Sequence, residues 1–281
     1  MLRFPVNHCQ YINKDLSLCF EPNRSPIDDR IFILTVPKSG TYLIAKIFEN
    51  FGIVNCGVHV ATDIIQDNRF ADEQILRVQP GIYTISAPLD ISVDLICPGQ
   101  FAFGHIPCSK NEQSLLGVFR KVFSFRDLRD VIISLVRYYE SRKVKITKPE
   151  RLVLYEKFKE LLMGSKKMFY WFELWGSEIE TLIRYMSPWK DCQDVFQLKF
   201  EVLMGDYGKE HQISLLNDLC RFVGLDIDED KIEEALRDSI GSDTLTYSGK
   251  RSSYSQWWNN DIDELYRSYG YEELNKAYGY K

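Results

Sequence analysis

The sequence predicts an α/β fold: a central, mainly parallel sheet flanked by helices, with a P-loop-like turn after the first strand. Three observations predict it. Apolar runs of strand length alternate with helical patterns along the chain. The first run, residues 31–36, is apolar almost throughout, as in a strand covered on both faces. A short polar loop then joins that run directly to an amphipathic pattern, the opening of a βαβ unit.

The elements follow in order. Residues 1–30 carry Pro5, Pro22 and Pro26 and read as an irregular arm on one domain spanning 1–281. After the 31–36 strand, Leu43, Ile44, Ile47, Phe48 and Phe51 recur at helical spacing, with Lys46, Glu49 and Asn50 opposite and Gly52 as the stop. Between 55 and 100 the pattern is weak, and only 82–87 reads as a strand. Residues 101–105 and 121–125 read as two more strands, the second buried. Val131, Ile132, Leu135, Val136 and Tyr139 share one face of a second helix, and 143–149 is a basic linker. An aromatic-rich helical pattern runs over 152–186, including Trp171, Phe172 and Trp175. A strand at 195–200, a helix at 213–223 stopped by Gly224 and a short helix at 231–237 come next. Residues 247–258 read as a loop before a Tyr-rich ending.

Composition narrows the function. The 281 residues are 45% hydrophobic and 27% charged, an ordinary globular balance that excludes a disordered chain. The 35 basic against 40 acidic residues leave a formal charge of -5, which argues against a nucleic-acid partner but permits a local basic pocket for one small polyanion. Seven scattered cysteines form no CxxC pair, so neither a zinc site nor a disulfide framework is expected. Reduced thiols, no signal-peptide pattern and no apolar run near the ~18 residues of a membrane span point to a cytoplasmic protein.

The chemistry gathers in Thr35-Val36-Pro37-Lys38-Ser39-Gly40-Thr41-Tyr42. Parallel sheets bind ligands at the carboxyl ends of their strands, and a helix starting there aims N–H groups and its positive dipole end at the ligand. Gly40 permits close backbone approach, Ser39 and Thr41 offer hydroxyls, and Lys38 adds a full charge. A Walker A loop is excluded, because its Lys follows the glycine and here Lys38 precedes Gly40. The competing reading is a plain strand-to-helix turn.

Here the chain resembles the cytosolic sulfotransferase family, whose phosphosulfate loop reads Pro-Lys-Ser-Gly-Thr between a strand and a helix. Further matches follow in order. Arg126-Asp127-Leu128-Arg129-Asp130 follows an apolar strand, and Ser134 stands eight positions after Arg126, the spacing at which the family holds the cofactor's 3′-phosphate. From the residues alone, Asp127 or Asp130 caps the second helix. Gly104-His105-Ile106-Pro107 resembles the family's His-Leu-Pro element, which places His105 as the general base; many members carry Lys-Thr where Phe103-Gly104 stand. Lys250, Arg251 and Ser252, before Trp257, resemble the Arg-Lys-Gly segment that closes over the 3′-phosphate, with Ser for Gly. Phe200 matches an aromatic that lies against adenine, and Leu43 stands where a second adenine wall is often Trp.

The resemblance implies transfer of a sulfuryl group from 3′-phosphoadenosine 5′-phosphosulfate (PAPS) to a hydroxyl or amine of a small-molecule, lipid or sugar acceptor, leaving 3′-phosphoadenosine 5′-phosphate (PAP), without a metal. It implies His105 and Lys38 as catalytic residues, with Ser39 engaging Lys38 before the acceptor binds. The cofactor set it implies is Lys38, Ser39, Gly40, Thr41, Tyr42, Arg126, Ser134, Phe200, Lys250, Arg251 and Ser252. Two alternatives share the anion loop: a P-loop-like nucleotide kinase or NTPase, and a non-catalytic nucleotide-binding module of the same fold. Aromatics such as Tyr138, Tyr139, Phe169 and Trp171 serve an acceptor pocket or, more simply, a core.

Overall fold

A computed structural model of the chain describes residues 25–69, 83–141, 165–241, 254–256 and 258–281. The chain divides into two compact units, Met1–Phe125 with Pro188–Gly249, and Arg126–Ser187 with Lys250–Lys281.

The first unit carries the sheet. Its strands are β1 (Arg30–Thr35), β2 (Val54–Val60), β3 (Ile64–Asp67), β4 (Thr84–Ser86), β5 (Gln100–Gly104), β6 (Phe119–Phe125) and β7 (Val195–Lys199), in the order β4-β3-β2-β5-β1-β6-β7. Five of them, from β2 across to β7, pair in parallel, and β3 and β4 add an antiparallel edge. β1 lies between β5 and β6, so it is covered on both edges as well as both faces; Ile31, Phe32, Ile33 and Leu34 have no exposed surface. That is why its four central residues are all apolar.

Helix α1 (Thr41–Asn50) packs Ile44, Ile47 and Phe48 onto Phe101, Phe103 and Val122 of the sheet. Two short helices, α2 (Leu89–Asp94) and α3 (Lys110–Leu115), bracket β5, and Ser109 Oγ caps α3 by accepting from Asn111 N at 3.2 Å.

The second unit is helical in its described part. Helix α4 (Leu128–Ser141) packs with α5 (Ser165–Met186). Asp127 caps α4: its Oδ1 accepts from Arg129 N at 3.0 Å, and Leu128 N donates to Asn275 Oδ1 at 2.8 Å.

After β7, in the first unit, come the single turn α6 (Phe200–Leu203), α7 (Lys209–Val223) and α8 (Glu229–Ser239). Gly224 closes α7 in the left-handed conformation, as expected, and Leu216, Leu219 and Val223 join the core cluster, with the helix packed on β7. The Tyr-rich ending, in the second unit, is two helices, α9 (Asn260–Ser268) and α10 (Tyr271–Ala277). Their tyrosines are structural: Tyr266 stacks on Tyr271, and Tyr271 donates to Gly176 O at 2.6 Å.

No helix among the described residues is long and apolar enough to cross a membrane.

Candidate active site

The turn after β1 is built by its own hydrogen bonds. Ser39 is fully buried; its N donates to Val36 O at 3.1 Å, and its Oγ lies 2.6 Å from Val36 O and 2.9 Å from Ser124 O at the end of β6. Ser124 Oγ answers by donating to Ser39 O at 2.8 Å. The Ser39 hydroxyl therefore pins the loop to β6. Lys38 takes a positive φ of 66°, rare for a residue with a side chain, and Gly40 a φ of 97°. Gly40 is the N-cap of α1 and brings no capping side chain, so the helix's positive end is left to the loop itself. Left-handed residues on either side of Ser39, ahead of a helix N-terminus, are of the kind that turn successive backbone N–H groups into an anion-binding concavity. Among the described residues no three His, Cys, Asp or Glu side chains gather to hold a metal.

Thr41 and Tyr42 also point inward. Thr41 Oγ1 is 2.7 Å from Thr35 Oγ1, and the Tyr42 ring meets Phe103 edge-on at 5.5 Å. These contacts shape the loop, and the first turn's backbone N–H groups face its open end as helix N-termini do.

Thr35 leads to His105. Nδ1 of His105 lies 2.6 Å from Thr35 O and 3.2 Å from Thr35 Oγ1. Burial pushes the ring's pKa down to about 4; the Thr35 carbonyl opposes the shift, and the nearby Lys38 ammonium adds to it. A second imidazole, His59 on β2, crosses His105 edge-on with ring centroids 4.9 Å apart, and burial followed by the His105 charge pushes it down to about 3. Its Nδ1 is buried without a hydrogen bond. Nothing in the sequence marked His59, because β2 is interrupted by Gly57 and a register shift between Asn55 and His59.

The departure at Phe103-Gly104 has a steric cause. A Cβ on Gly104 would stand 2.0 Å from Val60 O, so β2 closes on β5 directly before His105 and admits no side chain there. Phe200, expected at the end of a strand, is the first residue of α6. Its half-buried ring lies against the anion loop: a Cβ on Gly40 would meet ring atoms at 2.7 and 2.8 Å. Leu43 is partly buried against the core.

In the second unit, Arg126 and Asp130 form an ion pair at 3.2 Å, with side chains 9% and 18% exposed. Asp130 works in two directions, since its Oδ1 accepts from Tyr254 N at 2.9 Å. Arg129, held by Asp127 at 2.9 and 2.6 Å, stacks over the Tyr254 ring at 4.2 Å. The structure thus ties the Arg126 motif to the chain two residues beyond Ser252. Lys250, Arg251 and Ser252 themselves lie outside the described residues, as do the side chains of Tyr138, Tyr139, Phe169 and Trp171. Ser134 is half-buried one turn beyond Asp130, between buried Ile133 and Leu135.

Comparison with known proteins follows the same lines. No curated protein matches the chain by sequence. Among solved structures, retinol dehydratase in complex with androsterone and inactive cofactor PAP is 14% identical, with 90% of this chain and 82% of that one covered at a TM-score of 0.51. Mouse sulfotransferase SULT7A1 complexed with PAP is 13% identical over 90% of this chain and 88% of that one, with a TM-score of 0.49. The family model of the sulfotransferase domain matches residues 28–257, from before β1 to beyond Tyr254. The chain belongs to the sulfotransferase domain family.

Proposed function

We propose that this sulfotransferase moves a sulfuryl group from PAPS to a hydroxyl or amine of a small-molecule, lipid or sugar acceptor, with His105 as general base and Lys38 as the stabiliser of the leaving phosphate. The carrying observation is the hydrogen bond from His105 Nδ1 to Thr35 O beside Lys38. PAPS brings an activated sulfuryl group on a phosphate; the chain brings position and charge. His105 accepts the acceptor's proton at Nε2. Lys38 and the α1 N-terminus face the negative charge that grows on the departing phosphate. Ser39 and Thr41 act indirectly, as fasteners of the loop and of Thr35.

Arg126, Ser134, Lys250, Arg251 and Ser252 are assigned to the 3′-phosphate, and Asp130 orients Arg126 for it. Phe200 is assigned to one face of the adenine, on the strength of its ring beside Gly40. The reading treats the chain as one functional domain without a metal or a nucleic-acid partner, in the reducing cytoplasm that its scattered thiols favour. A small hydroxylic acceptor is in keeping with the androsterone held by retinol dehydratase.

Calorimetry with PAP, followed by transfer of labelled sulfate from PAPS across an acceptor panel, tests the assignment. PAP is expected to bind more tightly than its analogue without the 3′-phosphate, and Arg126→Ala to erase that preference. Equal affinity of the wild type for the two nucleotides removes the 3′-phosphate role from Arg126, and magnesium-dependent ATP turnover in place of sulfate transfer overturns the reading.

A further inference from the structure

Cys108 follows His105 by three residues, and Cys192 follows the 3-10 turn Ser187–Asp191. Their Sγ atoms are 3.9 Å apart although 84 positions separate them in the chain. Both residues are partly exposed, unlike the buried Cys56 and Cys220. The two segments are already fastened to each other, because the indole of Trp189, which has no exposed surface, donates from Nε1 to Ile106 O at 2.8 Å. Gln113 Nε2 lies 3.2 Å from the Cys108 sulfur, and the Cys192 thiol approaches Pro188 O at 3.5 Å.

We propose that Cys108 and Cys192 are a reversible cross-linking site, closed to a disulfide by a hydroperoxide or by a low-molecular-weight disulfide. Bringing the sulfurs from 3.9 Å to the ~2.05 Å of a disulfide is a movement on the scale of a side-chain rotation. With hydrogen peroxide, the first thiolate attacks oxygen, the O–O bond breaks, and the leaving hydroxide departs as water after taking a proton. The second sulfur then attacks the sulfenic sulfur, the S–S bond forms, and the S–O bond breaks to release a second water. The two thiols lose two electrons and two protons, and the peroxide gains both. With a small disulfide, a mixed disulfide forms first, and the second thiol displaces the remaining small thiol. Burial pushes the Cys108 thiol up to about 12; whichever sulfur meets the oxidant first, the other lies close enough to close the bridge. The bridge adds a covalent tie to the Trp189–Ile106 fastening and fixes the segment that carries His105. Its formation does not depend on sulfuryl transfer.

The full chain is reduced, exposed to hydrogen peroxide or oxidised glutathione, alkylated and digested with trypsin without reductant. The expected product joins the fragment 78–110 to 191–199 and separates on adding dithiothreitol. The first fragment also carries Cys97, so Cys97→Ser must keep the link, while Cys108→Ser and Cys192→Ser must each abolish it. A joined fragment that survives Cys108→Ser, or oxidised wild type in which both cysteines reach sulfinic acid with no joined fragment, overturns the proposal.

Discussion

His105 Nδ1 stands 2.6 Å from the carbonyl oxygen of Thr35, the last residue of β1. A carbonyl only accepts, so this contact places the ring's proton on Nδ1 and leaves the lone pair on Nε2. A backbone atom of a buried central strand thereby sets the tautomer of a side chain on a neighbouring strand's loop. Nitrogen NMR of labelled protein should show the Nδ1–H form for His105 near neutral pH, and an Nε2–H signature would remove the ring from the role of base. His105→Ala should lower turnover by about a hundredfold or more, with the affinity for PAP little changed.

The ring's pKa of about 4 gives a pH dependence with a definite sign. Burial and the Lys38 charge both favour the neutral ring, so free enzyme keeps its base unprotonated from about pH 5 upward. An anion bound against Lys38 offsets that charge and favours the imidazolium. The acid limb of kcat/KM, which reports the free enzyme, should therefore lie near 4, and PAP should raise the His105 pKa when it is followed by NMR titration. A downward shift with PAP would place the nucleotide away from Lys38. Stability follows the same rings. His59 and His105 titrate lower in the folded chain than the ordinary 6.5, so the unfolded chain binds more protons between that value and about 4. The urea midpoint should hold above pH 6.5 and fall as pH drops through that window.

Lys38→Ala should cost about a hundredfold or more in turnover if its charge meets the leaving phosphate. Lys38→Arg keeps the charge but not the compact head group. Because this position sits at a φ of 66°, Lys38→Gly relieves the backbone while removing the charge. A protein that melts at or above the wild-type temperature but has lost turnover separates charge from strain; full activity in Lys38→Gly would dismiss the charge.

The two glycines of the site should respond differently to alanine. At Gly104 the obstacle is the Val60 backbone oxygen, 2.0 Å from the added Cβ, and only separation of β2 from β5 makes room. Gly104→Ala should therefore lose folded protein outright. At Gly40 the obstacle is the Phe200 side chain, which can rotate away, leaving a left-handed alanine that costs on the order of 1 kcal/mol. Gly40→Ala should fold and bind PAP more weakly, and adding Phe200→Ala, which removes the obstacle but not the left-handed strain, should recover neither stability nor affinity. Equal behaviour of the two single variants in a melt would contradict the distinction.

Much of this site was legible because its residues follow strands whose sequences announce themselves. β1 and the end of β6 are largely apolar, so the sequence alone places the motifs beginning at Lys38 and Arg126 at strand ends. β2 could not be read, since VNCGVHV breaks alternation at Gly57, and with it went His59 and the reason for Gly104. The hydrogen bonds of Ser39 escape the sequence for a different reason. A hydroxyl in a loop is equally suited to an anion and to a carbonyl, and only the neighbouring end of β6 decides between them. The last two helices do not show in a sequence read only as a Tyr-rich ending, where Trp258 meets Tyr266 edge-on and Tyr266 stacks on Tyr271.

Asp130 is invisible as a functional residue in the sequence, where it is one more acid in a helix's first turn. In the structure its two oxygens serve two chain segments, Oδ2 toward Arg126 at 3.2 Å and Oδ1 toward Tyr254 N at 2.9 Å. Burial holds its carboxyl above the ordinary range, and the Arg126 guanidinium works against that. Asp130→Ala removes both bonds; a hydrogen bond to a charged group contributes about 1.5–3 kcal/mol, so PAPS affinity should fall by roughly ten- to a hundredfold. Asp130→Asn keeps an acceptor for Tyr254 N and gives up the charge on Arg126, and it should lose less. The discriminating readout is the preference for PAP over the nucleotide without its 3′-phosphate. If Asp130 orients Arg126 and the segment before Tyr254, both variants shrink that preference, Ala more than Asn, while affinity for the dephosphorylated nucleotide stays put. If both nucleotides weaken in parallel, Asp130 serves only the fold of its unit.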